Sequence, residues 1–580
     1  MEKSKITKSL AVFASVLLII IIGVASFAYF GTFNVNLNNN VAVNINSSSP
    51  GNATFTSTAT QLNLQVPAAN MSFTVANNTV AAKEDTAFLD VTLTGSSNLL
   101  TTCTYDIVYA YDAGSNVYGQ GTTTKTSGAT KEITIEVNGM NGNNHFATET
   151  NFDHASIQSY YDSTNKYYKL VEGATIQSLG TEQSVRWKII GRYYNLNVSQ
   201  AQLGGKNFTG KIYAISKGCS SEDGTTVKKG YETILANNGG AASMTTLTST
   251  DFATVTTASD KGMYKAQDDL GTSYYFRGAV DNNWLKYGKY TKDMYNCNNG
   301  SISATDTGNS CTKIASSGDD IYWRIIRING DGSIRMIYSG VTPPKESTKV
   351  IKTTDTSLGN SQFNANSDKA EYVGYMFTVG QQHGTGTDST IKTYLDNWYA
   401  NYTDLNKTGT KITDQIYCND RTASTSDVAY STTNYTTLTS WNSTGTKYYY
   451  GANGRVWNSP VSPDYKCPVA SDKFTKTTAK GNGKLSYPVG LITADELTFA
   501  GLPAGETNNS FYLHTGANYW AGSPFVFYDG NRAREFRVRV GGSLVDDIVS
   551  GTGGARGVVS LSSESKLLGS GTYNDVYVVS

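Results

Sequence analysis

The sequence predicts a mostly β-sheet protein, in which an N-terminal transmembrane helix precedes an all-β sandwich and then an α+β domain. Charged residues make up only 16% of the 580 residues, and Thr, Ser, Asn and Gly replace them together with 39 Tyr. Thr and Tyr favour strands, whereas Gly and Asn favour turns. Segments that alternate apolar and polar residues recur between Gly- and Asn-rich breaks, and this is typical of half-buried strands.

The apolar run Leu10–Phe30 predicts the membrane helix, within an N-terminal segment of residues 1–30. Roughly 20 apolar residues can cross a bilayer, and the lysines before the run favour a cytoplasmic N-terminus. A cleaved signal peptide is the alternative, because Ser26 and Ala28 supply small residues for a cleavage site. We favour the anchor, since the run is long for a signal peptide. Both interpretations place the rest of the chain outside the cytoplasm, and the anchor would hold it at the cell surface.

Charge and cysteine content limit the partners that we expect. The 47 basic and 47 acidic residues cancel, which argues against nucleic acid or an anionic membrane surface as a partner held by bulk charge. Six cysteines in an exported chain indicate disulfides, although six allow 15 connectivities. No Cys-x-x-Cys spacing occurs, so we expect neither a metal site nor a cofactor. Pairing within each domain is the simplest arrangement: Cys103–Cys219, Cys297–Cys311 and Cys418–Cys467.

The alternating segments divide the exported part into four regions. Residues 31–65 are rich in Asn, Ser and Thr and predict a stalk, and residues 66–219 predict the β-sandwich. A Gly/Thr/Ser-rich linker is expected at 220–262, before a second domain at 263–580. The strands predicted in the sandwich are 71–75, 87–95, 103–112, 131–137, 185–198 and 211–219.

Two helices and one hairpin are predicted in the second domain. Residues 389–401 place apolar side chains on one helical face, and Asp388 or Ser389 would cap that helix. Thr493 and Glu496 form a capping box at the start of a helix that would end at Gly501. The run Asn-Gly-Asp-Gly at 329–332 joins two apolar segments and predicts a hairpin turn.

No catalytic motif is evident, and we expect a protein that is not an enzyme. The chain has four histidines, none of them in a metal-binding spacing. His145 and His154 are expected to be solvated loop residues, whereas His514 stands beside an aromatic cluster. We interpret Asp495 and Glu496 as charges of a first helical turn.

The segment 519–539 has the composition of a binding site, because aromatic residues stand beside Arg and Asn there. Trp520 and Phe536 are alternatively core residues. Exposure is expected around Asp529, since Asp-Gly-Asn marks a turn. The candidate ligand-binding residues are Tyr519, Trp520, Ser523, Phe525, Phe527, Tyr528, Asp529, Asn531, Arg532 and Arg534.

Several short motifs of residues 264–580 resemble, in their order, surface proteins of gut Firmicutes-like bacteria. They are WRIIRINGDGSIRMIY, STIKTYLDNWY, IYCNDR, LSYPVGLITADE, YWAGSP and RGVVSL. The C-terminal pattern of that group, close to YWTLSP and VRPVISL, resembles the C-type-lectin-like fold in the branch of formylglycine-generating enzymes. This chain has Ala521-Gly522 in place of Thr-Leu and Gly557 in place of proline. It has no cysteine after Cys467, so the copper-dependent activity of that branch is not carried over.

The predicted anchor, the paired cysteines and the aromatic and arginine residues of 519–539, together with this resemblance, indicate a membrane-anchored adhesion or ligand-binding protein with an extracellular protein or glycan as its partner. The same fold displays the variable residues of proteins that are diversified by retroelements, around the YW motif. The N-terminal part is also similar to fibre-forming proteins of biofilm matrices. A structural fibre subunit is therefore one alternative function. A second alternative is an extracellular enzyme acting on surface polymers, in which His514 would lie beside a carboxylate in a cleft.

Overall fold

Two units make up the chain in this computed structural model, the first ending at Val227 and the second covering Lys228–Val579. Both consist mostly of β-strands with few helices. The structure describes residues 41–45, 53–66, 83–95, 99–112, 131–139, 142–194, 196, 200, 203, 205–223, 228–306, 310–424, 448–528 and 532–580.

The first unit is a β-sandwich of two antiparallel sheets. One sheet has the order β1-β2-β4-β11-β6-β8, and the other has the order β3-β12-β5-β10-β7 with β9 beside β10. Its elements are β1 Val41–Ile45, β2 Ala53–Ser57, β3 Thr60–Gln65, β4 Lys83–Thr94, β5 Leu99–Tyr111, β6 Ile133–Asn138, β7 Asn143–Asn144, β8 Thr150–Asn151, α1 His154–Ile157, a 3-10 turn Gln158–Tyr160, β9 Tyr161–Asp162, β10 Tyr167–Ser178, β11 Gln183–Tyr193 and β12 Asn207–Asp223.

One apolar core joins the two sheets of the sandwich. Trp187 of β11 is fully buried, and its indole N–H donates to the hydroxyl of Tyr105 on β5 over 3.0 Å. The predicted disulfide Cys103–Cys219 is present and links the neighbouring strands β5 and β12. Five of the six predicted strands are confirmed as β4, β5, β6, β11 and β12, and the sixth, at 71–75, lies outside the described residues.

The stalk predicted at 31–65 is corrected over its described part. Strands β1 and β2 extend one sheet, and β3 pairs with β12 of the other, so residues 41–45, 53–57 and 60–65 contribute to the sandwich. The Asn/Thr-rich sequence conceals this, because alternate positions such as Leu62 and Leu64 are enough to bury one face of a strand. The run Leu10–Phe30 lies outside the described residues. Among the residues described, no helix is long and apolar enough to span a membrane.

The second unit contains two larger sheets and several short helices. The eight-stranded sheet has the order β13-β14-β19-β15-β33-β32, with β20 and β31 joined through β19, and the six-stranded sheet has the order β21-β30-β27-β28-β29, with β25 on β27. The strands are β13 Lys261–Asp268, β14 Gly271–Gly278, β15 Trp284–Lys289, β16 Met294–Cys297, β17 Ile302–Ser303, β18 Cys311–Ala315, β19 Asp320–Ile328, β20 Ile334–Tyr338, β21 Asn360–Gln362, β22 Met376–Phe377, β23 Thr387–Asp388, β24 Tyr417–Cys418, β25 Tyr448–Tyr449, β26 Lys473–Phe474, β27 Tyr519–Tyr528, β28 Arg532–Val538, β29 Leu544–Ile548, β30 Thr552–Gly554, β31 Val558–Leu561, β32 Leu567–Leu568 and β33 Tyr577–Val579.

The helices of the second unit pack against a continuous apolar core that includes both larger sheets. The α-helices are α2 Gly230–Asn237, α3 Ser249–Phe252, α4 Thr390–Tyr402, α5 Gly451–Val456 and α6 Ala494–Phe499. The 3-10 turns are Ala241–Ser243, Glu346–Thr348, Ala370–Val373 and Ala470–Asp472.

The local predictions in this unit are confirmed. Ser389 caps α4, and its apolar face is buried. Thr493 caps α6 with Glu496 in the predicted box, and Gly501 follows the helix with a φ of 113°. Strands β19 and β20 form the predicted hairpin. The disulfides Cys297–Cys311 and Cys418–Cys467 are both present.

The linker predicted at 220–262 is corrected, because most of it belongs to a folded unit. Strand β12 continues to Asp223, and the second unit begins at Lys228. Ile234 of α2 and Met244 are buried in the core of the second unit. The backbone N–H of Thr248 donates to Asp251 over 2.8 Å and caps α3, so polar residues that indicate a linker are here the ends of short helices.

Candidate functional site

The candidate binding segment forms a hairpin whose strands lie inside the second unit. Strand β27 has β28, β30 and β25 as neighbours, and the indole N–H of Trp520 donates to the carbonyl of Ser361 over 2.9 Å. This central position buries five of the ten predicted ligand residues, which cannot form an exposed surface: Tyr519, Trp520, Ser523, Phe525 and Phe527.

The exposed part of the segment is the tip of the hairpin. Tyr528 is half-buried at the end of β27, and Arg532 is exposed at the start of β28. The guanidinium of Arg534 lies over the ring of Tyr528, donates to its hydroxyl over 2.8 Å and pairs with Asp546. Asp529 and Asn531 lie outside the described residues. The tip therefore presents an aromatic ring and two arginines, one of them held in place.

Buried contacts below the tip hold the hairpin rigidly. The hydroxyl of Ser523 accepts the backbone N–H of Ala494 over 2.9 Å and so connects β27 to the start of α6. Arg556, in the C-terminal motif, is fully buried beneath Tyr519 and donates to the carbonyl of Tyr338 over 3.0 Å. These residues act as scaffold for the tip.

The histidines of the first unit are not the solvated loop residues that we expected. The side chain of His145 is 9% exposed, and its ring stacks on Tyr160 at 4.2 Å between centroids. His154 places Nδ1 2.8 Å from the hydroxyl of Tyr168. The loop folds back because β7 and β9 both pair with β10, which brings the imidazoles against tyrosines.

The histidines of the second unit differ in their surroundings. Nδ1 of His514 is buried without a hydrogen-bond partner among the described residues, and burial lowers the pKa of this imidazole. His383, which the sequence did not single out, places Nδ1 2.9 Å from the buried carboxylate of Asp472. Arg421 also binds that carboxylate, so His383 shares Asp472 with a permanent cation.

A charged cleft lies between α6, the β13–β14 turn and the segment 464–466. The side chains of Asp464 and Lys466 are exposed at its mouth. Six carboxylates and four basic side chains line it. They are Asp268, Asp269, Asp420, Asp464, Asp495, Glu496, Arg327, Arg335, Arg455 and Lys466.

Glu496 is the centre of the first ion cluster in the cleft. It is fully buried and pairs with Arg327 over 3.1 Å and with Arg335 over 2.5 Å. Burial acts to raise the pKa of Glu496, but the charges of Arg335 and Arg327 outweigh it, so this pKa lies below its usual value. Arg327 also binds Asp268 over 2.7 Å. The cluster thereby ties α6 to the β19–β20 hairpin and to the end of β13.

Arg455 is the centre of the second ion cluster. Its Nε and Nη2 donate to the two oxygens of Asp495 over 2.9 and 3.0 Å, and its Nη1 donates to Asp420 over 2.7 Å. The backbone N–H of Asp464 also donates to Asp495, over 2.9 Å. The guanidinium of Arg455 thus pairs with two buried carboxylates.

Sequence reasoning missed the cleft although it identified α6 correctly. Asp495 and Glu496 fit the first turn of an exposed helix equally well, since anionic residues are favoured there. Their partners are distant in sequence, 169 residues away for Arg327. Within the parts of the chain that the structure describes, no three His, Cys, Asp or Glu side chains could hold a metal ion together.

No protein-family model, curated protein or solved structure matches the chain. The chemistry of the hairpin tip and of the cleft is therefore the basis for inferring a function.

Proposed function

We propose that the chain is a membrane-anchored, extracellular binding or adhesion protein whose second unit is C-type-lectin-like and presents the β27–β28 tip to a ligand. The observation that carries this proposal is the contrast within one hairpin. Its strands are buried and fixed by core contacts, whereas Tyr528 and Arg532 at its tip reach solvent. Aromatic and arginine side chains on a rigid support are typical of binding hot spots.

The disulfides and the ion pairs support this proposal. Three disulfides are typical of an exported protein. The buried acids of the cleft are already paired with arginines, which favours a structural role for them over acid–base catalysis. The ligand class that fits the tip is a protein or a glycan, because Tyr and Arg supply both stacking and hydrogen bonds.

Binding of the full-length protein to a glycan array and to host cells tests the proposal. We expect the double variant Tyr528→Ala/Arg532→Ala to lose roughly tenfold or more in affinity, as hot-spot residues do. Arg539→Ala is the matched control, since Arg539 is an exposed arginine just beyond the opposite end of β28. Equal binding by the double variant and the control would reject the tip as the site.

A further inference from the structure

Glu535, near the middle of β28, is a fully buried carboxyl group without a partner. Its side chain has no accessible surface, and neither of its two oxygens makes a hydrogen bond within the part of the chain that the structure describes. Glu496 is also buried, but it lies between two arginines. An ionised carboxylate that lacks both hydrogen bonds and a counter-charge is very costly to bury, whereas a neutral carboxylic acid costs much less.

The strands beside Glu535 supply no counter-charge. Pro524 of β27 and Asp547 of β29 lie opposite Glu535 in register. Pro524 is uncharged, and Asp547 pairs with Arg537. The other charged residues of β28 and β29 are one exposed arginine and one ion pair: Arg532, and Arg534 with Asp546. In these strands, as the structure describes them, no cation is therefore left to pair with an ionised Glu535.

The segments that cover β28 do not supply a counter-charge either. The 3-10 turn packed against β28 carries an acid, Glu371, and a tyrosine, Tyr372, whose pKa is raised by burial. The cation whose charge acts on Glu535 is Arg421, but its guanidinium is bound to buried Asp472 over 2.5 Å. Burial raises the pKa of Glu535 well above its usual value, and the charge of Arg421 offsets this only in part.

We propose that Glu535 is a proton-binding site, neutral in the folded protein at pH 7 and ionised in the unfolded chain, so that folding takes up one proton. A glutamate in an unfolded chain ionises around pH 4.3. The stability that this group contributes is therefore complete below that pH and is lost as the pH rises toward the higher pKa of the folded state. The β27–β28 hairpin is consequently held more firmly in a mildly acidic medium than at neutral pH. This inference does not depend on whether the tip of the hairpin binds a ligand.

Urea unfolding of the full-length protein, measured from about pH 5 to about pH 7, tests the proposal. The first variant is Glu535→Gln, because an amide has the shape of a carboxylic acid and does not ionise. We expect the folding equilibrium constant of this variant, divided by that of the wild type, to rise about tenfold for each pH unit, since only the wild type has to take up a proton. The test uses this change with pH, so a constant difference caused by the additional N–H group of the amide does not affect it.

A second variant and a control complete the experiment. Glu535→Met places an apolar side chain of similar size in the same apolar surroundings, and it should show the same rise with pH even if the buried amide of Glu535→Gln prevents folding. Glu506→Gln removes an exposed acid and should show no such rise. If the ratio for the Glu535 variants stayed constant or fell as the pH increased, Glu535 would be ionised in the folded protein and the proposal would be overturned.

Discussion

Glu496 shows how much a single buried charge contributes to the second unit. Its carboxylate is fully buried between Arg327 and Arg335. We expect Glu496→Gln to lower the free energy of unfolding by about 3–5 kcal/mol at pH 7, because buried Arg335 would lose its carboxylate partner and Arg327 would keep only Asp268. Urea unfolding followed by near-ultraviolet circular dichroism measures this loss. Glu506→Gln is the control, since Glu506 is exposed close to the same helix.

The stability lost in Glu496→Gln should depend on pH, because the pKa of Glu496 is lowered in the folded protein. A carboxyl group whose folded pKa is below its unfolded value stabilises the fold at pH values above the unfolded pKa. The contribution is lost as the pH falls through the folded pKa. The difference between wild type and Glu496→Gln should therefore shrink in acid, and a difference independent of pH would contradict this role for the charge.

The surroundings of single residues were only partly predictable from the sequence. Trp520 could be assigned to either the core or the ligand site, because both environments favour a large aromatic residue. The sequence predicts Glu496 as a capping residue, which the structure confirms, but it does not predict the ion pairs of Glu496. The cap depends on Thr493, three residues away in the sequence, whereas Arg327 and Arg335 belong to the distant β19–β20 hairpin.

At the scale of elements, the capping box of α6 is a local device that can be tested separately from the ion cluster. The backbone N–H of Glu496 donates to the hydroxyl of Thr493 over 3.1 Å. We expect Thr493→Ala to cost about 1 kcal/mol of stability, because the first turn would lose this acceptor. Thr493→Ser keeps the hydroxyl and should retain most of the stability in the same urea titration. If Ser and Ala proved equally destabilising, the methyl group of Thr493 would matter and the cap would not.

Elements with a local signal were predictable, and elements without one were not. Helix α4 has an apolar face and a Ser cap within its own sequence, and the β19–β20 turn contains Asn-Gly and Asp-Gly. Helix α2 lies in a Gly- and Thr-rich region that suggests a linker, and only the surrounding core makes its few apolar side chains sufficient. Strand β2 likewise depends on pairing with β4, and β1 depends on pairing with β2.

At the scale of the whole molecule, the cysteine pairing was predictable because each pair lies within one region of alternating strands. The first unit contains the disulfide Cys103–Cys219, and the second unit contains the other two. The boundaries were not predictable, since polar strands and short helices share the composition of stalks and linkers. The finer architecture of the second unit depends on long-range pairing, such as β33 beside β15, which no local pattern indicates.

The disulfides also provide the test of whether the two units unfold separately. Cys103–Cys219 closes a loop across 116 positions of the first unit, and Cys418–Cys467 closes one across 49 positions of the second. In the chain-entropy model the longer loop contributes about 4–5 kcal/mol, which is commonly an upper value. Calorimetry of the full-length protein should show one transition that moves to lower temperature in Cys103→Ala/Cys219→Ala and another that moves in Cys418→Ala/Cys467→Ala. A single transition shifted by both double variants would show that the units unfold together, because each disulfide restricts the unfolded chain of its own unit alone.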